Sequence, residues 1–377
     1  MNRAPVTRNA AHLSLVRMKI ENRNKKPTVV LTGSDGLIGS ALVRALHADY
    51  DLVGLDNDHS TDIEGLHDLI YCDLTEDESV AHAFGQLRER HGDHIASFIH
   101  LAAYYDFSGA DSPLYEQLTV EGTARILKQL SKFQVDQFVF TSTILVMEPS
   151  KDGEKLDESS PVQAEWQYPQ SKLETEKLIS RERGDIPAVI LRIAGVYSEW
   201  GRAVPIVQQM KRIQEKELES YLFPGNPSHG QSMVHIDDVV SCIHRVIEKR
   251  RDLDGLEGFL IGEADAMSYE ELQDQIGELL HGEEWPSIRI PKPLAKAGAY
   301  AKQALPGDED FIQPWMVDLA DQDYRIDIGK AQRLLGWRPQ HSLRATLPRI
   351  AAHLIEDPDE WYERNGLEQA AEVEARQ

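Results

Sequence analysis

The 377-residue sequence predicts a doubly wound α/β fold, a parallel sheet with helices on both faces, followed by a smaller C-terminal unit. Three observations predict it. Short apolar, β-branched runs alternate with helix-period stretches through the first half of the chain. The first of these runs leads directly into glycines at 33, 36 and 39. Beyond residue 194, Pro205, Pro224 and Pro227 with Gly195, Gly201, Gly225 and Gly230 break the alternation into shorter pieces.

Thr28-Val29-Val30-Leu31 reads as a buried strand, and Ala41-Leu42-Val43-Arg44-Ala45-Leu46 as the start of a helix. Gly33, Gly36, Leu37, Ile38 and Gly39 lie between them. Strand, glycine turn and helix are what a dinucleotide phosphate needs. The first glycine makes the tight turn, the second lets the backbone approach the pyrophosphate, and the third lets the helix pack close to the strand. The helix N-terminus then faces the anion. Ordinary turns also collect glycine, so context decides.

The second strand, 52–55, ends at Asp56, 17 residues beyond Gly39. That is near the spacing of a ribose-binding carboxylate. Such a carboxylate accepts hydrogen bonds from the adenosine ribose hydroxyls and repels a 2′-phosphate. Asp58 adds to the repulsion and no arginine follows nearby, which favours NAD over NADP. A solvated acidic turn would look the same. Residues 70–72 form a short strand ending in Asp73-Leu74, and a helix over 78–90 follows. Ser97-Phe98-Ile99-His100-Leu101-Ala102-Ala103 is a strand ending in small residues, suited to close approach of a cofactor. A helix carries Thr119, Gly122, Thr123, Ile126 and Leu127. A strand over 137–140 leads into Thr141-Ser142-Thr143, and 188–192 is a sixth strand.

Val234-His235-Ile236-Asp237-Asp238-Val239-Val240 opens another helix, and Gly258-Phe259-Leu260-Ile261-Gly262 is a strand. A helix over 269–280 carries Leu272, Ile276, Leu279 and Leu280, and a small-residue helix spans 291–305 between prolines. The expected organisation is a basic, disordered tail over 1–26, and a nucleotide-binding domain over 27–194 that also takes in 231–262. A substrate domain spans 195–230 and 263–345, and an acidic tail spans 346–377.

The net charge of −23, from 63 acidic and 40 basic residues, opposes nucleic-acid or anionic-membrane binding as the main role. Two cysteines, Cys72 and Cys242, have no metal-like spacing and suit a reducing, cytoplasmic setting. No apolar run approaches the ~20 residues of a membrane span. His229 and His235 lack a supporting acid or cysteine cluster, and no metal is assigned.

Tyr168-Pro169-Gln170-Ser171-Lys172 carries the chemistry. On a helix, positions four apart share a face, so Tyr168 and Lys172 project together. A free phenol has a pKa near ~10, and a neighbouring ammonium favours the phenolate. The pair provides a base for a hydroxyl proton, or an acid that returns it. The spacing alone also fits a surface tyrosine and a solvated lysine.

Jointly, several segments resemble the extended short-chain dehydrogenase/reductases of the NAD-dependent epimerase/dehydratase group. They are Thr32-Gly33-x-x-Gly36-x-x-Gly39, Asp56, Asp73-Leu74, His100-Leu101-Ala102-Ala103, Thr141-Ser142-Thr143 and Tyr168-x-x-x-Lys172. Val234 to Val239 and Leu334-Leu335-Gly336-Trp337-Arg338-Pro339 complete the set. The resemblance runs from about residue 28 to 343 and implies a Rossmann-type sheet with NAD. It implies Tyr168 as acid/base, Lys172 on the nicotinamide ribose, and Thr143 as the substrate-polarising hydroxyl with Ser142 as its alternative. It places Asp73 at the adenine, with Ala102 and Ala103 along the pyrophosphate and ribose. Relatives also dimerise, so a homodimer is implied.

Departures bear on substrate. Sugar-nucleotide members usually show Tyr-Gly where Met147-Glu148 stands here, and asparagine where Ile193-Ala194-Gly195 stands. They place an arginine where this chain has Gln231-Ser232. The segment Pro291-Lys292-Pro293-Leu294-Ala295-Lys296-Ala297-Gly298-Ala299-Tyr300 resembles hydroxysteroid dehydrogenase and dihydroflavonol reductase relatives, and equally suits a lid or packing helix. Trp166 stands beside the catalytic helix as a pocket or core residue. The expected activity is interconversion of a secondary alcohol and ketone on an apolar or cyclic small molecule. A nucleotide-sugar epimerase or dehydratase is the alternative, and an NAD-sensing protein without catalysis a third reading.

Overall fold

The computed structural model describes residues 26–57, 63–106, 111–151, 153–303 and 314–367. The basic tail expected over 1–26 lies outside them except for its last residue, as does Asp58. In chain order the first half contains β1 (Thr28–Thr32), α1 (Leu37–Leu46), β2 (Asp51–Asp56), β3 (Asp68–Tyr71) and α2 (Asp77–His91). Then come β4 (Ser97–His100), α3 (Glu121–Leu130), β5 (Phe138–Thr143), α4 (Gln167–Glu182) and β6 (Ala188–Ile193). A π-helical turn, Tyr115–Val120, runs into α3.

With β7 (Leu256–Ile261), the strands form one seven-stranded sheet in the order β3-β2-β1-β4-β5-β6-β7. Every neighbouring pair is parallel. The order reverses between β1 and β4. In a doubly wound sheet, ligands bind at that crevice, beyond the carboxyl ends of the strands.

Both faces are covered, which is why the strands are apolar throughout rather than alternating. On one face α1 packs with α6 (Ile236–Glu248), burying Leu42, Val43, Leu46, Val239, Ile243 and Val246. The apolar positions of α6 recur at 236, 239, 240, 243, 246 and 247, a single helical stripe. On the other face α2, α3 and α4 bury Phe84, Leu87, Ile126, Leu130 and Ile179 against Phe98, Phe138 and Phe140.

A second cluster joins α5 (Val204–Gln214) and α7 (Tyr269–His281) with residues from 343 onward. Ser268 caps α7 with a reciprocal capping box through Glu271, a start signal readable in the sequence. Between α7 and the C-terminus lie α8 (Lys292–Gln303), α9 (Pro314–Ala320) and α10 (Gly329–Leu335). Ion pairs join α8 to α9 and the turn after it, through Lys296 with Asp318 and Lys292 with Asp321.

The acidic tail expected over 346–377 requires correction. The chain is helical to Asn365, as α11 (Leu343–Glu356) and α12 (Pro358–Asn365). Leu343, Leu347, Ile350, Ala351 and Leu354 form an apolar stripe, and Trp361 is fully buried. Both starts are capped, by Ser342 and by Asp357 with Pro358 behind it. The acids that suggested a tail lie outside these stripes.

Residues 337–341 are tied to α6. The Trp337 indole donates to Asp238 O at 3.1 Å and Ser241 Oγ at 3.0 Å, while the Asp238 carboxylate accepts from the Gln340 and His341 amides. These bonds hold the segment that follows Gly336 against the start of α6. Both cysteines are free and buried. Burial, with Asp73 and Asp56 adding to it, pushes the Cys72 thiol up to about 12. Among the described residues no helix is long and apolar enough to cross a membrane.

Candidate active site

The glycine turn is built for backbone approach. Gly33 has φ +67°, a left-handed conformation, and a Cβ there would stand 3.0 Å from the Ala102 nitrogen. At Gly39 a Cβ would stand 2.1 Å from the Gly33 carbonyl oxygen, so no side chain fits. Gly36 is the N-cap of α1 and offers no side-chain cap. Ser40 N–H is the first to bond back, to Gly36 O at 2.9 Å. The amides of Leu37, Ile38 and Gly39 are thus left facing outward from the first turn, as an anion site requires.

Asp56 ends β2 beside this turn. Its carboxylate accepts from the Asn57 amide at 2.9 Å, the Asp35 amide at 3.4 Å and Ser34 Oγ at 3.5 Å. Gly54, earlier on the same strand, keeps room for the Ser34 side chain: a Cβ would meet its oxygen at 2.6 Å. Asp73, after β3, accepts from the Thr75 amide and hydroxyl at 2.8 and 2.7 Å. Leu74 is buried against Gly122. Leu101, Ala102 and Ala103 leave β4 across the crevice, half-buried.

A buried network fixes that crossing. Thr32 Oγ1 accepts from the Leu101 and Ala102 amides at 3.2 and 3.1 Å and lies 2.7 Å from His100 Nδ1. With both amides donating to it, its own proton goes to Nδ1. His100 Nε2 must then carry the ring proton and donates to Thr123 Oγ1 at 2.9 Å, and Thr123 donates to Thr119 O at 2.6 Å. Burial, then the charge of Lys172, pull His100 down to about 3, so the ring is neutral. In the sequence His100 stands out only as part of a motif.

Tyr168 and Lys172 sit on the first turns of α4. Lys172 is buried, donates to Thr141 O at 2.8 Å and lies 4.7 Å over the Phe140 ring. Burial pulls its ammonium down to about 7, opposed by the charge of Glu176. Burial, then Tyr115, push the Tyr168 phenol above its ordinary range, and a hydrogen bond with Thr143 pulls against that. Thr143 Oγ1 also accepts from the Leu145 amide at 3.3 Å.

Ser142 goes elsewhere. Phe138, Phe140 and Ser142 alternate onto the face that α4 covers. The Ser142 hydroxyl donates to Glu176 Oε1 at 2.5 Å, and Arg192, its register partner on β6, grips Glu176 at 3.1 and 2.7 Å. Of the two hydroxyls, Thr143 is the one brought to Tyr168. Tyr105, which the sequence does not single out, packs edge-on to Tyr168 at 4.9 Å, and Trp166 lies at 5.5 Å.

Trp166 also lines a small cavity of about 120 Å³ with Leu145, Leu319 and Gln322. Leu319 and Gln322 belong as well to a cavity of about 690 Å³ in the C-terminal unit. Its walls are mostly apolar, among them Leu222, Phe223, Met233, Met267, Ile290 and Leu294. Arg212, Glu219 and Glu263 line it with His229 and the phenol of Tyr269. Gln231, at the position where sugar-nucleotide relatives place arginine, lines it too. Glu263 accepts from Tyr197 OH at 2.8 Å and from the Leu343 amide at 3.0 Å, and burial pushes it up to about 7.

His235, Asp237 and His341 bring potential metal-ligand atoms within 4.8 Å of one another. The His235 and His341 rings stack at 4.2 Å and 25°. His235 Nδ1 accepts from the Asp237 amide, and His341 Nδ1 bonds Asp238.

Comparison with known proteins agrees with this geometry. A 4-epimerase of N-acetyl-alpha-D-glucosaminyl-diphospho-ditrans,octacis-undecaprenol from Escherichia coli O157:H7 is 22% identical over 74% of this chain and 79% of its own length. A decarboxylating sterol-4-alpha-carboxylate 3-dehydrogenase from Schizosaccharomyces pombe is 28% identical over 46% of this chain and 52% of its own. The Thermus thermophilus UDP-glucose 4-epimerase structure, in complex with NAD, superposes with a TM-score of 0.64 at 20% identity, covering 88% of this chain and 99% of that one. A sequence model of the NAD dependent epimerase/dehydratase family matches residues 29–262, well over half of the chain. With that match, and with a glycine turn shaped for a backbone-bound dinucleotide, the protein belongs to the NAD dependent epimerase/dehydratase family of enzymes, with NAD as cofactor.

Proposed function

We propose that this enzyme interconverts a secondary alcohol and a ketone on a relatively apolar or cyclic small molecule. Bound NAD supplies the hydride acceptor or donor. The chain supplies the rest. The amides of Leu37, Ile38 and Gly39 at the start of α1 would take the pyrophosphate, Asp56 the adenosine ribose, and Asp73 with Leu74 the adenine side. Leu101, Ala102 and Ala103 would line the path between. Thr143 holds the substrate oxygen and Tyr168 exchanges its proton. As an acid Tyr168 is ready, because burial holds its proton. As a base it needs the positive charge of Lys172 beside it.

The observation that carries the substrate class is the cavity of about 690 Å³ with its largely apolar walls. Leu319 and Gln322 in its wall also line the smaller cavity of about 120 Å³, where Trp166 stands 5.5 Å from the Tyr168 ring. A doubly charged diphosphate would meet one arginine there, Arg212, with Glu219 and Glu263 on the same walls. Burial of charge against apolar walls is costly, whereas apolar surface gains ~25 cal/mol per Å² buried.

Arg212 and His229 are also what favours a second reading, epimerisation of a nucleotide sugar with the hydride returned in the same site. The two separate in one experiment. The protein is mixed with NAD and either hydroxysteroid alcohols or nucleotide sugars. Net NADH with the first panel supports oxidoreduction; isomerised sugar without net NADH overturns it.

A further inference from the structure

We infer that Glu176, locked in place by Ser142 and Arg192, is the positioning residue for Lys172: its fixed carboxylate, one helical turn away, holds the lysine as an ammonium. This rests on the role proposed above for Lys172. The lysine is 4% exposed. Its contacts are one carbonyl, Thr141 O, and the face of Phe140. An ammonium so buried and so thinly partnered would shed its proton without a nearby negative charge. Glu176 lies four residues on, on the same helix face as Lys172.

Three hydrogen bonds from two neighbouring strands prevent that carboxylate from swinging away. Ser142 on β5 donates at 2.5 Å, and Arg192 on β6 donates at 3.1 and 2.7 Å. Arg192 is the cationic half of the same pair, so the double variant below separates the field of the carboxylate from that of the pair. Among the described residues, Tyr168 stands on the same helix with Tyr115 acting on it from the helical turn packed against α4, and His100 at the end of β4 feels the Lys172 charge. His100 is neutral and contributes no charge. Burial pulls Lys172 down, and Glu176 is the group that pulls it back up. The Ser142 hydroxyl stands next to the proposed catalytic hydroxyl, yet its work is different, since it orients Glu176.

An ion pair that merely staples α4 to the sheet would leave the lysine's titration untouched, and this is what separates the two roles. Protein labelled with 13Cε-lysine is titrated by NMR, the Lys172 resonance being identified by its absence in Lys172→Met. In the wild type it is expected to titrate near neutrality. In Glu176→Gln it is expected to titrate lower by about one pH unit or more, the size an opposite charge at close range produces. Glu176→Gln/Arg192→Gln removes both charges and avoids leaving Arg192 buried and unpaired; it too is expected below the wild type. A resonance that stays at the wild-type pH in both variants, or returns to it in the double variant, overturns the inference. Fluorescence titration with NADH keeps the two claims apart. If Glu176→Gln moves the resonance but Lys172→Met binds NADH as well as wild type, Glu176 sets the lysine and the cofactor role of Lys172 is wrong.

Discussion

At the scale of single residues, Tyr168 carries the heaviest demand. Removing its hydroxyl in Tyr168→Phe should cut turnover ~10²–10⁴-fold, the usual worth of a positioned acid/base. NADH binding by fluorescence should persist in that variant; full activity would remove Tyr168 from the mechanism. Gly39 is as strict for a different reason. A Cβ would stand 2.1 Å from the Gly33 carbonyl oxygen, so Gly39→Ala must displace α1 from the glycine turn. NADH binding should be lost ahead of the fold, read by titration beside a thermal melt. Glu263 gives a pH signature. Burial raises its pKa from 4.5 to about 7, so the folded protein holds a proton that the unfolded chain releases between those values. The stability tied to this group is full below pH ~4.5 and falls as pH rises toward ~7. Denaturant melts across that window should show the decline, and Glu263→Gln should flatten it.

Among the secondary-structure elements, the glycine turn, the strand ends and the first turns of α4 act as one assembly because the sheet order brings them to one crevice. Each is legible in sequence, since local spacing specifies it: glycines three apart, an acid at a strand end, tyrosine and lysine one helical turn apart. What is not legible depends on pleat and register. Ser142 and Thr143 are adjacent letters, but alternation along β5 sends one to Glu176 and the other to Tyr168. Tyr105 and the neutral tautomer of His100 likewise emerge only when distant strands meet. The C-terminal helices escape a sequence reading for another reason: acids concentrate from Glu356 onward and mark the whole end of the chain as charged, although the apolar stripe from Leu343 to Leu354 contains no acid. That stripe makes a test. Leu347 is fully buried, and Leu347→Ala should cost about 2–5 kcal/mol in a denaturant melt, whereas a solvated tail would lose nothing measurable.

For the whole molecule, the proposed function assigns cofactor and substrate to different parts of the chain. The sheet, with its parallel order and switch point between β1 and β4, provides a cofactor crevice that many chemistries share. In that proposal the selective part is the cavity of about 690 Å³, whose walls come from residues scattered between 204 and 343. No contiguous motif encodes it, which is why composition and departures from the family pattern are the only sequence signals of its character. Gln231→Arg should therefore act as a switch of cavity character, weakening turnover of apolar alcohols and raising affinity for UDP in calorimetry. The most direct measurement follows NADH absorbance and product identity together while the wild-type enzyme turns over a hydroxysteroid alcohol with NAD. Ketone and NADH should accumulate in equal amounts and both should vanish in Tyr168→Phe. No NADH from the alcohols, with isomerised nucleotide sugar formed in their place, would contradict it.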